Sequence, residues 1–385
     1  MSGSWWGMLL GSDLQVEGRS HFIQRFREKE SLRKTMKILD AHGYQLQFLE
    51  EYAEENPGCL LSPLTARHER FPAGAIQEIL GFNPQSFRSQ WDGVQSYEMR
   101  GDLVASLSEA SLWGYPFFVL TQDQVLLQDC SWEMKVFRKV IDRPEVTRRI
   151  QGRAIILPLH RCRNYYHWVL EVLPRVQLLM EEELWGRIPV IVPPLQNFQM
   201  ESLVALGLNP DLMIPFEPDR DHFEIEEAIY PSRVGAIRKV SPTSVEWLRK
   251  KLDPCVLNGN RKIYYSRSTS KTRRVLNEVE FIPELIRRGF EIFTGDKHSF
   301  LEQVALFAEA KVVVGAHGAG LANIAFCRPK TPVLELMARD YVNPCFGELC
   351  DSGRNPYSVL VGKPKYDGNY RVNSKLLLDW VDRIG

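Results

Sequence analysis

The chain has 385 residues, 44% hydrophobic and 25% charged, the composition of an ordinary globular protein, which excludes bulk disorder. At that length two or more domains are expected rather than one core. Forty-eight basic and forty-eight acidic residues cancel, so no global field is available to hold nucleic acid or an anionic membrane, and any anion site has to be local.

The first residues, MSGSWWGMLLGSDLQ, carry neither a basic leader region nor an apolar run of signal-peptide or membrane-span length. Seven cysteines are scattered, odd in number and without a C-x-x-C pair, which argues against a disulfide framework and a zinc ribbon and for a reducing compartment. A cytoplasmic protein is therefore expected. Trp5 and Trp6 are candidates for peripheral contact with a membrane surface; packing of that end on the domain is the competing reading.

From about Phe22 to Glu55 charged helix formers alternate with apolar residues at near-helical spacing, broken at His42-Gly43, which predicts a helical pair. Residues 56–100 are irregular and rich in Pro, Gly and Ser, so a boundary is expected near 95. Next come the β-like pieces SLWGYPFFVLT, VLLQDC and RAIILPL, a helix in NYYHWVLEVLPRVQLLMEEELW, a strand in IPVIVPP and a helix in MESLVALGL. A second run starts at Arg261: strand KIYYSRS, helix NEVEFIPELIRRG, strand FEIFTG, helix SFLEQVALFAEA opened by Ser299, strand KVVVG, strand TPVLELM and a closing amphipathic helix, LLLDWVDRI. Alternation of strand and helix predicts an α/β protein with two halves joined near 255: an N-terminal helical extension (1–95), a first α/β domain (96–255) and a second α/β domain with a C-terminal helix (256–385).

Three segments carry candidate chemistry. VVVGAHGAGLANIAF runs from a buried strand into glycines and then a helix expected to start around Gly318 to Leu321. The N–H groups of Gly318, Ala319, Gly320 and Leu321 would face an anion there; a tight turn with no ligand is the alternative. YYSRSTSKTRRVLNEVE sets Arg267, Lys271, Arg273 and Arg274 after another strand, where ligands of parallel sheets collect. Guanidinium groups there suit a diphosphate, and a solvated loop is the competing reading. Glu335, on the next strand, is a candidate acceptor for ribose hydroxyls.

In NYYHWVLEVLPR, His167 and Glu171 stand at i and i+4. A regular helix would bury Tyr165, Trp168, Val169, Val172, Val176 and Leu179 and put His167, Glu171 and Arg175 on another face, with Pro174 kinking it. A histidine oriented by a carboxylate suits a general base; a surface pair without chemistry fits the spacing equally.

These segments, in order and spacing, resemble the glycosyltransferases of family 61, which include bacterial polysaccharide-type transferases and eukaryotic enzymes adding N-acetylglucosamine or xylose. The likeness covers approximately residues 100–360 and leaves 1–95 outside. It implies a GT-B-like α/β fold, two Rossmann-like domains facing a cleft, and an inverting hexosyl- or pentosyltransferase using a nucleotide-sugar, a UDP-sugar first among them. Its acceptor would be a glycan, lipid-linked or protein hydroxyl. Arg267 and Arg274 match the family's basic positions before Asn277-Glu278; His317, Gly318, Gly320, Leu321 and Asn323 match its glycine motif, Glu335 its acidic strand and His167 its first motif. Lacking an anchor or signal, the chain resembles the bacterial type more than the secretory one.

The expected mechanism is a single displacement with His167, oriented by Glu171, as base and the arginines and glycine loop stabilising the diphosphate. No metal or other cofactor is expected, because cationic groups can stand in for it. Asp219-Arg220-Asp221 is a D-x-D, in an acidic proline-containing loop away from the strand-helix junctions. His-Gly-Ala-Gly has an esterase-like look, but no G-x-S-x-G elbow follows. A non-catalytic nucleotide-sugar or glycan-binding module is the alternative to the enzyme.

Overall fold

The computed structural model of the chain describes residues 33–61, 76–85, 102–131, 133–235, 240–255 and 259–384. Trp5, Trp6, the start of the helix expected from Phe22 and the boundary expected near 95 lie outside them. In chain order the strands are β1 (Gln45–Gln47), β2 (Ile76–Leu80), β3 (Val104–Trp113), β4 (Phe118–Leu120), β5 (Val125–Leu127), β6 (Arg148–Ile156), β7 (Val190–Val192), β8 (Met213–Pro215), β9 (His222–Pro231), β10 (Arg261–Tyr265), β11 (Phe290–Phe293), β12 (Ala310–Ala316), β13 (Val333–Ala338), β14 (Tyr357–Pro364) and β15 (Tyr370–Arg371).

Among the described residues these build two sheets. The first runs β1-β5-β4-β3-β9-β6-β7-β8. It is mixed: β5, β4, β3 and β9 pair antiparallel, whereas β9, β6, β7 and β8 are parallel. The second runs β11-β10-β12-β13-β14-β15, with β2 also on β14. From β11 to β14 it is wholly parallel, and the buried apolar runs of β12 and β13 are what strands covered on both faces require.

Alternate residues of the second sheet divide between two cores. Tyr264, Val312, Val314, Leu334 and Leu336 pack with Phe281 and Leu285 of helix Glu278–Arg287 and with Leu377 and Trp380 of helix Ser374–Ile384. On the other face Ile263, Tyr265, Val313, Val333 and Met337 join Phe300, Val304 and Phe307 of helix Phe300–Ala308 in a cluster continuous with the first sheet's core. Helix Pro242–Lys251 follows the first sheet and is fastened to the second. Its Arg249 donates to the carbonyls of Ala325 (2.9 Å) and Gly353 (3.0 Å) and to Asn355 Oδ1 (3.1 Å).

The break expected at His42-Gly43 is a turn, but the pair of helices, residues 33–41 and Leu49–Glu55, also encloses β1, which pairs with β5 at the edge of the first sheet. Ser299 caps its helix in a capping box whose second member is Glu302. The segment expected as one regular helix is in three parts: an α turn at Tyr165–His167, a π-helical stretch at Trp168–Val172 and an α-helix at Leu173–Glu181 with Pro174 in its first turn. Pro174 has no N–H to bond back into the preceding turn, and π turns occur where the ladder is interrupted. The expected face of His167, Glu171 and Arg175 is broken by it. Arg175 is wholly buried and donates to the carbonyls of Leu157, Pro231 and Ser232, lying against the ring of Tyr230. No helix among the described residues is long and apolar enough to cross a membrane.

Candidate active site

β12 ends at Ala316 and delivers His317, Gly318 and the 3₁₀ helix Ala319–Phe326 to the carboxyl edge of the second sheet. His317 Nδ1 meets the carboxylate of Glu335, whose second oxygen accepts from Tyr357 Oη at 2.6 Å. Both oxygens of Glu335 are engaged and the residue is fully buried, so it orients His317, and the expected contact with ribose hydroxyls is not open to it. The His317 ring lies between Tyr341 and Phe346, with centroids 5.3 and 5.1 Å away.

Gly318 is extended and leaves room for the Arg267 guanidinium, which occupies the place a Cβ would take. At Gly320 a Cβ would come within 2.5 Å of the Tyr265 phenol. The cluster therefore lets an arginine and a tyrosine lie directly on the backbone. Of the expected donors, the Leu321 N–H is spent on the Gly318 carbonyl at 2.9 Å. Those of Ala319 and Gly320 belong to the first turn, where the helix supplies no acceptor. Asn323 faces inward, accepting from Tyr165 Oη at 2.6 Å and donating to Gln303 at 2.9 Å, so it ties the two halves together.

Arg267 follows β10, is 9% exposed and donates to the Thr272 carbonyl at 3.1 Å. Its Nε and that of Arg274 are buried without a hydrogen-bond partner. Arg273 lies over the ring of Tyr341, 5.1 Å from its centroid. Among the described residues none of the three is ion-paired. The adjacent Asn277 and Glu278 have structural partners: Asn277 bonds Val372, Ser374 and Glu280, and Glu278 accepts from Tyr264 and Ser266. Burial holds the Glu278 carboxyl above its usual range.

At the carboxyl ends of the parallel strands β6 and β9, His167 Nδ1 meets Glu171 Oε1 at 2.8 Å and Arg233 Nη1 meets Glu171 Oε2 at 2.5 Å. Burial pushes the Glu171 carboxyl up, but the charge of Arg233 and the bond to His167 outweigh it, and it titrates below the ordinary carboxylate range. His160 stands on the loop after β6, with Nδ1 3.0 Å from Ser131 Oγ and its ring edge-on to Tyr115 at 5.5 Å. Burial lowers its pKa to about 4, with Arg161, His167 and Arg233 acting the same way and Glu133 opposing.

The two groups meet. Tyr166 packs edge-on against His167 (5.3 Å) on one side and Phe346 (5.6 Å) on the other, and Phe346 touches His317. A row of side chains, Arg273, Tyr341, His317, Phe346, Tyr166 and His167, thus joins the basic loop to the histidine of the first half. Arg233, His160, Tyr341 and Phe346 were not singled out in the sequence. For His160 the signal was present, since it closely follows the β-like run RAIILPL; for Arg233 it was missed because the strand before it, β9, was not read from the sequence. By contrast Asp221 of the D-x-D accepts from the Glu217 N–H at 2.7 Å within a turn before β9.

The family model described as Glycosyltransferase 61 matches residues 165–334, an interval that holds His167, Arg267, Arg274 and the whole of the glycine loop. No curated protein matches the chain. Over that interval, with its histidine, arginine and glycine segments brought to one place, the chain is similar to glycosyltransferase family 61.

Proposed function

We propose that the chain is an inverting transferase that moves a sugar from a UDP-sugar to an acceptor hydroxyl, with a GT-B-like division of labour in which the second sheet holds the donor. The observation that carries this reading is the meeting of an oriented histidine with unpaired arginines across the row from Arg273 to His167. Since Glu171 has both oxygens engaged, it orients His167, whose Nε2 takes the proton of the acceptor hydroxyl. The hydroxyl oxygen bonds to the anomeric carbon from the face opposite the diphosphate, and the carbon–oxygen bond to the diphosphate breaks with its electron pair. Arg267, Arg274, Arg273 and the N–H groups of Ala319 and Gly320 receive the charge that builds on the leaving oxygens, and His317, held by Glu335, offers its Nε2 to the same group. These cations supply what other transferases draw from a divalent ion, so the reaction is proposed to be metal-independent. Work in the cytoplasm is proposed from the seven scattered cysteines, odd in number and without a C-x-x-C pair.

Calorimetric titration of the purified chain with UDP, GDP, ADP and CDP, with and without EDTA, tests the reading. UDP should bind, EDTA should leave binding intact, and Arg274→Ala should abolish most of it. His167→Ala should cut turnover by about 10²- to 10⁴-fold, the usual worth of a general base, with UDP affinity kept within a few-fold. Failure of every nucleotide to bind would remove the donor site, and binding with no acceptor glycosylated by the unaltered chain would favour a non-catalytic module.

A further inference from the structure

His160 has no place in the displacement above, yet it is tied to the same machinery. Its N–H donates to the Cys130 carbonyl at 2.9 Å, and Arg233 Nη2 approaches that same carbonyl at 3.4 Å. The other arm of Arg233 holds Glu171, which holds His167. One carbonyl and one guanidinium therefore fix the spacing of two histidines at neighbouring strand ends.

Their hydrogen bonds fix opposite tautomers. Glu171, as a carboxylate, can only accept, so His167 Nδ1 carries the proton and Nε2 presents a lone pair. Ser131 Oγ accepts from the Glu133 N–H at 3.0 Å and is almost fully buried. Its single hydrogen needs an acceptor, and His160 Nδ1 is in reach at 3.0 Å. That arrangement leaves the proton of a neutral His160 on Nε2. Among the described residues neither Nε2 has a hydrogen-bond partner. Burial keeps the His160 ring neutral through the physiological range, and the half-buried Tyr115 ring stands beside it.

We propose that His160 is an acceptor-binding residue, its Nε2–H donating to a hydroxyl adjacent to the one that His167 deprotonates, so that the acceptor is a sugar bearing neighbouring hydroxyls. The inference rests on the transferase reading for the role of His167. A lone serine or threonine hydroxyl would use His167 and leave His160 idle. The Tyr115 ring offers an apolar face for the C–H side of a pyranose.

The test has two arms on the full chain. In the first, histidine ring ¹⁵N resonances, assigned with His160→Gln and His167→Gln, report the tautomers. His160 should carry its proton on Nε2, and addition of methyl hexopyranosides should shift that resonance. A proton on Nδ1 overturns the proposal whatever the activity. In the second, UDP release from UDP-sugars is followed with methyl hexopyranosides and their monodeoxy forms. His160→Ala should lower kcat/KM about tenfold, the scale of one neutral hydrogen bond, with UDP affinity unchanged. His160→Gln, which keeps an N–H donor, should recover most of it. Loss of the adjacent hydroxyl should cost the unaltered chain the same factor and His160→Ala nothing more. Equal loss with both acceptors overturns the proposal. UDP binding with turnover on a threonine peptide alone sinks the sugar acceptor while sparing the transferase; absence of UDP binding sinks the transferase reading, and the ring resonances then decide whether His160 binds a glycoside.

Discussion

Gly318 and Gly320 are two residues apart and exclude a side chain for different reasons. At Gly318 the obstacle is the flexible Arg267 side chain from its Cδ outward; at Gly320 it is the phenol ring of Tyr265, 7% exposed and packed at 5.8 Å from Phe293. Gly318→Ala should leave the melting temperature nearly unchanged and weaken UDP binding by displacing Arg267. Gly320→Ala should cost about 1 to 3 kcal/mol of stability, as overpacking does. Calorimetry and thermal unfolding of the two variants separate the outcomes, and equal effects would remove Arg267 from the donor site. The density of glycines was legible in the sequence. Their partners were not, because Arg267 and Tyr265 lie some fifty positions earlier and meet the loop only through the pairing of β10 with β12. Glu335 was legible as an acid on a strand, but its burial behind His317 depends on Tyr357 from the next strand.

The element that decides the first half of the site is the helix from Tyr165 to Glu181. A π turn accommodates one residue more than an α turn, which rotates everything after it by about 100°. Arg175 is thereby turned from the face of His167 and Glu171 into the core, where it gathers the carbonyls of Leu157, Pro231 and Ser232 at the ends of β6 and β9. Arg175→Met should leave those acceptors unsatisfied and destabilise the chain by about 3 kcal/mol or more in urea unfolding. Arg175→Lys should recover little, since one ammonium cannot span the planar fork. A destabilisation below about 1 kcal/mol would show that water replaces the guanidinium. Pro174 was a legible cause of irregularity, whereas its form as a π turn was not, because periodicity assumes the 3.6-residue repeat that the turn violates. The parallel strands β10, β12 and β13 were legible as buried runs; β1 and β2, three and five residues in length, were not.

Over the whole molecule the titrating groups of the site give stability a direction in pH. His160 is neutral when folded down to a pKa of about 4, against an ordinary value of 6.5, so its contribution is complete above 6.5 and is lost as pH falls toward 4. Glu171, held below its ordinary 4.5, contributes above that value and is lost at still lower pH. Urea midpoints should therefore fall steadily from pH 7 to pH 4, and His160→Asn should flatten the upper part of that fall. An unchanged slope in the variant would mean that the His160 ring is protonated without hindrance.

The chain changes sheets more than once: β1 lies on the first, β2 on the second, β3 to β9 on the first again, and the remainder on the second. On a ribosome, Ile79 of β2 emerges long before Val359 of β14, the residue it must sit beside. Until nearly all of the polypeptide has been made, β2 has no edge to join, and the nascent first sheet must form around a strand that belongs elsewhere. Long-range pairing of this kind slows folding and exposes unpaired strand edges, so of the strands that precede β14, β2 should be the last to acquire protection when translation is arrested at successive lengths.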